Sequence, residues 1–141
     1  DQRTLARTRA RIDEIIVKEA KHVRGDFSRI LLGGSSQGCA AALDAYMRHA
    51  GPPLGGFVGV VGFLPSDADN FTGADAAVKA FVASSSTRSA PIWLLNGTDD
   101  RVIRPDFVKQ SLRRIRHLPQ MHAEEARGYG HGVGPLEGKF L

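Results

Sequence analysis

Cys39 is the only cysteine in the chain, so no disulfide framework can form within it, and this usage suits a reducing compartment such as the cytoplasm. No apolar run approaches the ~20 residues that a membrane-spanning helix needs, so stable membrane anchoring is not expected. The opening residues, Asp-Gln-Arg-Thr-Leu-Ala-Arg-Thr-Arg, lack the apolar segment of a secretory leader. They also lack an initial Met, which fits a processed chain or a fragment. Internal repeats and low-complexity tracts are missing too, which excludes solenoids and linker-like chains.

What is present is the make-up of one globular domain. The chain has 141 residues, 42% hydrophobic and 24% charged, a balance that fits neither a disordered chain nor a membrane bundle. Nineteen Lys and Arg against fifteen Asp and Glu leave a net charge of +4. Basic residues such as Arg7, Arg9 and Arg11, or Arg113, Arg114 and Arg116, lie among acids on helical stretches without interleaved aromatics. That is the pattern of solvated helix faces, so no nucleic-acid partner is expected. The sixteen glycines are clustered rather than periodic, which points to special turns.

Periodicity supplies the element order. Leu5, Ile12, Ile15, Ile16, Ala20 and Val23 recur at helical steps, which predicts an amphipathic helix over residues 4–23. Short apolar runs at 28–33, 57–63 and 91–96 have strand length, and 121–126 reads as the last strand. Stretches at 39–49, 74–82 and 106–117 have helical propensity. Strands alternating with helices predict an α/β fold with a parallel sheet flanked by helices. The nearly continuous apolar strands predict burial on both faces.

The most informative motif is Gly34-Ser35-Ser36-Gln37-Gly38, a G-x-S-x-G match set between a predicted strand and a predicted helix. In such an elbow the serine occupies a strained turn that lifts its hydroxyl clear of the sheet. The glycines two before and two after it let the chain pass closely. The backbone N–H of Gln37 would face the same point and act as an oxyanion donor. A bland phosphate-cradling turn is the competing reading, but the P-loop lysine and the dinucleotide spacing are both missing.

A serine nucleophile needs a base, and the base needs an orienting carboxylate. Asp99 and Asp100 follow the strand at 91–96, where a ligand-facing carboxylate belongs, and either could serve. His131 lies in Gly130-His131-Gly132 after the last strand. His22, His49 and His117 fall near helix ends, and His122 falls within a strand, so structural roles account for all four. His122 and His131 have no third ligand at metal spacing, so no metal is expected.

The run Arg29-Ile-Leu-Leu-Gly-Gly-Ser-Ser-Gln-Gly-Cys-Ala-Ala-Ala-Leu resembles the elbow of the phospholipase/carboxylesterase family, the acyl-protein thioesterase-like serine hydrolases, especially its fungal members. The likeness continues through Gly55-Gly-Phe-Val-Gly-Val-Val-Gly-Phe-Leu-Pro and Pro91-Ile-Trp-Leu-Leu-Asn-Gly-Thr-Asp-Asp-Arg-Val-Ile to Tyr129-Gly-His-Gly. It implies an α/β-hydrolase fold with Ser36 as nucleophile, His131 as general base and Asp100 as its orienting acid. Leu64 would lie beside the acyl group. No cofactor is implied, and the substrate would be a small ester, a lysophospholipid or an S-acylated protein. Ser35, Asn96 and Arg101 depart from the family's usual aromatic or Ile, His and Pro.

That fold has eight strands. At about 27 residues per strand–helix unit, eight units need roughly 215 residues. A chain of this length supplies four, so residues 1–141 are read as one α/β-hydrolase domain lacking its N-terminal part. The strand before the elbow would then carry an open apolar edge, suited to self-association. A non-catalytic remnant acting as an interaction module is the alternative expectation.

Overall fold

The computed structural model describes residues 2–65, 78–79, 81–83 and 90–132. Helix α1 (Gln2–Ala20) leads through a 3-10 turn at Phe27–Arg29 to strand β1 (Leu31–Ser35) and helix α2 (Gln37–Arg48). Strands β2 (Gly56–Val60) and β3 (Ile92–Gly97), helix α3 (Pro105–Leu112) and strand β4 (Met121–Ala126) follow. The four strands form one parallel sheet in the order β1-β2-β3-β4. The fold is the expected α/β architecture. The helix expected at 74–82 lies largely outside the described residues; 78–79 and 81–83 are helical.

Local chemistry moves several boundaries. Strand β1 starts three residues later than its apolar run suggested. The Asp26 carboxylate accepts the N–H of Ser28 at 3.2 Å and its hydroxyl at 2.5 Å, which holds Phe27–Arg29 in a turn. Helix α1 ends where Gly25 N–H donates to the Ala20 carbonyl at 2.8 Å. Helix α3 is shorter than the 106–117 stretch. After Leu112 the chain tightens into turns such as Ile115 N–H to Leu112 O, 3.0 Å, and Leu118 N–H to Ile115 O, 3.0 Å.

Among the described residues, the sheet does not read as one buried on both faces. Leu32, Phe57, Ile92 and Met121 share one register row, and all four join a single apolar cluster with side chains of α1, α2 and α3. Among the described residues, the three helices therefore cover one face. On the other, Leu31 is 64% exposed and His122 is exposed, its ring stacked on Trp93 at 4.1 Å. The outer strands β1 and β4 accordingly alternate, and continuous burial belongs to β3. Helix α1 is anchored to α2 by Arg9, which meets the buried Asp44 at 2.8 Å; Arg48 reaches the same carboxylate at 3.0 Å. Its apolar stripe narrows to Ile12, Ile16 and Ala20, while Ile15 is turned outward.

Candidate active site

Strand β1 delivers the chain to Ser36, whose φ of 54° and ψ of −127° lie in a region that costs a residue with a side chain about 1–3 kcal/mol. Two main-chain bonds hold it there. Ser36 N–H donates to the Val60 carbonyl at 2.9 Å, and its own carbonyl accepts Ala40 N–H at 3.1 Å as α2 begins. Ser36 occupies the N-cap position of α2 yet makes no side-chain cap. Its hydroxyl instead lies 2.9 Å from His131 Nε2.

The two motif glycines are not equivalent. A Cβ on Gly34 would come within 2.7 Å of the Gly38 main chain, whereas one on Gly38 would meet open space. Close passage is thus required at the first glycine alone. A further strained residue escaped the sequence reading. Val61, β-branched and 1% exposed, has φ 54° and donates its N–H to Leu95 O at 2.7 Å. No residue type announces such strain in a sequence; Val is among the least suited to it.

Strand β3 ends at the acid turn. The Asp100 side chain is buried, with Oδ1 accepting the N–H groups of Val102 at 2.8 Å and Ile103 at 2.9 Å. Its Oδ2 lies 2.9 Å from His131 Nδ1. Burial alone would raise this carboxyl's pKa. The hydrogen bonds from Ile103, His131 and Val102, with the adjacent His131 charge, outweigh that and hold it below the ordinary 3.8. Asp99 is exposed and accepts from the Thr98 hydroxyl at 2.8 Å instead.

The acid and histidine turns are tied together. Thr98 N–H donates to Ala126 O at 3.0 Å, Asp99 N–H to Tyr129 O at 2.9 Å, and Gly128 N–H to Thr98 Oγ1 at 3.0 Å. Gly97 permits this approach, because a side chain there would press into the Tyr129 carbonyl. Thr98 was not singled out from sequence. A threonine between a glycine and two aspartates was a signal for a turn, without saying that its hydroxyl would bridge to a second loop.

Ser36, His131 and Asp100 are therefore contiguous. A hydroxyl donating to Nε2 requires the tautomer with the proton on Nδ1, which in turn donates to Asp100. Gln37 opens α2, where the first amides lack intrahelical acceptors and a helix dipole favours negative charge. Leu64 is 1% exposed within the core cluster, its N–H donating to Ser111 Oγ at 3.3 Å; its side chain does not lie on an open surface. Asn96 is buried, and its Oδ1 has no hydrogen-bond partner among the described residues, beside a cleft of about 80 Å³ between α3 and the ends of β3 and β4. His49 bridges Asp13 and the Pro52 carbonyl, each at 3.1 Å. Among the described residues, no three His, Cys, Asp or Glu side chains gather as metal ligands, and no helix is long and apolar enough to cross a membrane.

Residues 1–133 match the phospholipase/carboxylesterase family. The chain belongs to that family. It is 30% identical over 128 residues to acyl-protein thioesterase 1 homolog 1 of Dictyostelium discoideum, covering 89% of this chain and 51% of that one. It is 33% identical over 101 residues to acyl-protein thioesterase 1 of Yarrowia lipolytica, covering 70% and 39%. The chain thus spans about half the length, or less, of these relatives. Its fold is similar to that of Arabidopsis thaliana SOBER1, with a TM-score of 0.80 at 21% identity, covering 99% of this chain and 62% of that one. Zea mays acyl-protein thioesterase 2 gives 0.64 at 21% identity, covering 90% and 62%. This phospholipase/carboxylesterase chain therefore carries an α/β-hydrolase fold.

Proposed function

We propose that the chain carries the nucleophile, base and acid of a serine hydrolase that cleaves carboxylic ester or thioester bonds. The supporting observation is the unbroken relay from Ser36 Oγ to His131 Nε2 and from His131 Nδ1 to Asp100 Oδ2, each contact 2.9 Å. Ser36 attacks the acyl carbonyl while His131 takes its proton, and Asp100 stabilises the imidazolium. The Gln37 N–H, with the start of α2 behind it, meets the developing oxyanion. His131 then protonates the departing alcohol or thiol, leaving an acyl-Ser36 ester. Water, deprotonated by His131, releases the acid and restores the serine.

Leu64 is the substrate contact that this reading offers. Leu64 lies one residue from Phe63 on the loop after β2, and an acyl chain reaching it must enter the core cluster that buries it. Small esters, lysophospholipids and S-acylated proteins all present the same carbonyl to Ser36. The test is hydrolysis of a short-chain p-nitrophenyl ester and an acyl thioester. The wild-type chain turns over one or both, and Ser36→Ala and His131→Ala fall to background. Equal turnover by Ser36→Ala overturns the assignment.

The outer position of β1 favours a second reading. Among the described residues, Leu31 is exposed and β1 has β2 as its one hydrogen-bonded neighbour, an arrangement that would suit pairing with another strand. A chain that forms stable dimers and hydrolyses neither substrate supports an interaction module instead.

A further inference from the structure

His131 stands between two glycines whose surroundings are open. Gly132 takes φ 108°, and a Cβ there would meet nothing within 4 Å; one on Gly130 would find the Asp99 carbonyl at 3.8 Å. Glycine gives the chain a conformational freedom that must be removed from outside if a neighbouring side chain is to hold one position. The His131 side chain is itself 30% exposed. Its anchor comes from the turn after β3. Asp99 N–H donates to Tyr129 O at 2.9 Å, two residues before the histidine. Gly128 N–H donates to Thr98 Oγ1 at 3.0 Å, three residues before it. The first bond joins main chain to main chain, so any residue but proline at 99 can make it. The second depends on a side-chain oxygen.

That oxygen is already oriented. A threonine hydroxyl has one proton, and Asp99 Oδ1 takes it at 2.8 Å. Toward Gly128 the hydroxyl therefore acts as acceptor, and donating to a carboxylate makes it a better one. Gly128 has φ 76°, a left-handed conformation that glycine adopts without steric cost.

We infer that Thr98 is a positioning residue for His131: its hydroxyl, by holding Gly128, keeps the imidazole in line between Asp100 and Ser36. It acts through the main chain of the histidine turn. The kinetic consequence rests on the hydrolase reading, whereas the Asp100–His131 contact can be followed without turnover. A group displaced by about 1 Å can lose about 10²-fold in rate, and lost alignment for proton transfer lowers kcat and kcat/KM together. Gly128 is exposed, so without the hydroxyl its N–H turns to water and the fold is kept.

The test removes the hydroxyl and keeps the branched shape. Thr98→Val, checked for folding by circular dichroism, should cut kcat on a short-chain p-nitrophenyl ester by about 10- to 100-fold, with KM little changed. Thr98→Ser restores the oxygen and should recover most of the lost rate. The His131 Nδ1 proton, held by Asp100, reads the same geometry as a low-field NMR signal, assigned by its absence in His131→Ala. It is expected in wild type and Thr98→Ser, and should broaden or vanish in Thr98→Val. Full rate in Thr98→Val, or a loss that Thr98→Ser does not recover, would overturn the inference. If the wild-type chain hydrolyses no ester, the hydrolase reading fails and the signal alone decides. Its loss in Thr98→Val then supports the positioning role; its persistence there, or its absence from wild type, overturns it.

Discussion

Asp99 N–H donates to the Tyr129 carbonyl at 2.9 Å, joining the turn that carries the acid to the turn that carries the histidine. With the Thr98 bonds to Ala126 and Gly128 on either side, the two loops form one hydrogen-bonded unit. The Asp100–His131 contact is thus held by main chain as well as by its own charge. Asp99 contributes its backbone there, and Asp100 contributes its side chain.

That division separates the two aspartates. Asp100→Asn should lower kcat on an ester substrate by about 10⁴-fold, because the amide no longer fixes the productive tautomer. Asp99→Asn keeps the backbone bond and should stay within about threefold of wild type. Steady-state kinetics on both variants checks this, and a larger loss at Asp99 would reverse the assignment.

The depressed Asp100 carboxyl also has a stability consequence with a definite sign. Its folded pKa lies below the ordinary 3.8, so as pH falls the unfolded chain binds this proton first. The stability it contributes is complete above about pH 5 and is lost as pH drops through the folded pKa. Urea titrations of wild type and Asp100→Asn from pH 7 to pH 2 should show a gap that is widest at neutral pH and closes in acid.

Gly34 and Gly38 should respond oppositely to alanine. Gly34→Ala drives a methyl group into the Gly38 main chain and should cost about 3 kcal/mol or more, since the obstacle is backbone. Gly38→Ala meets open space on α2 and should range from neutral to about 1 kcal/mol stabilising. Thermal unfolding of the two variants measures the difference.

Cys39, three residues past Ser36, should be inert. It is fully buried, and desolvation, only partly offset by a hydrogen bond with the Val60 backbone, pushes its thiol up to about 12. Iodoacetamide at pH 8 should alkylate the native chain roughly a thousandfold more slowly than the urea-unfolded chain, given the thiolate fractions. Fast native labelling would contradict this burial.

Much of the fold could be read directly because its signals are local. The strand at 92–97 and the elbow's position between a strand and a helix follow from apolar runs and one motif. The residues alone left Asp99 and Asp100 open, because adjacent carboxylates look alike until the turn buries one and exposes the other; the family resemblance was what pointed to Asp100. The unequal cover of the two sheet faces among the described residues was also hidden. Leu31 and Leu32 are the same residue type, and only the placing of three helices on one face separates the exposed one from its half-buried neighbour. Likewise, the two motif glycines are symmetric in sequence and unequal in space. Val61 shows the limit most clearly, since a buried β-branched residue with a φ of 54° runs against its own preference.

The proposed chemistry depends on an activated Ser36 hydroxyl. A fluorophosphonate probe followed by peptide mass spectrometry tests it most directly. A single covalent adduct is expected on Ser36, abolished by Ser36→Ala and sharply reduced by His131→Ala. An unlabelled wild-type chain, or an adduct that persists in Ser36→Ala, would contradict it.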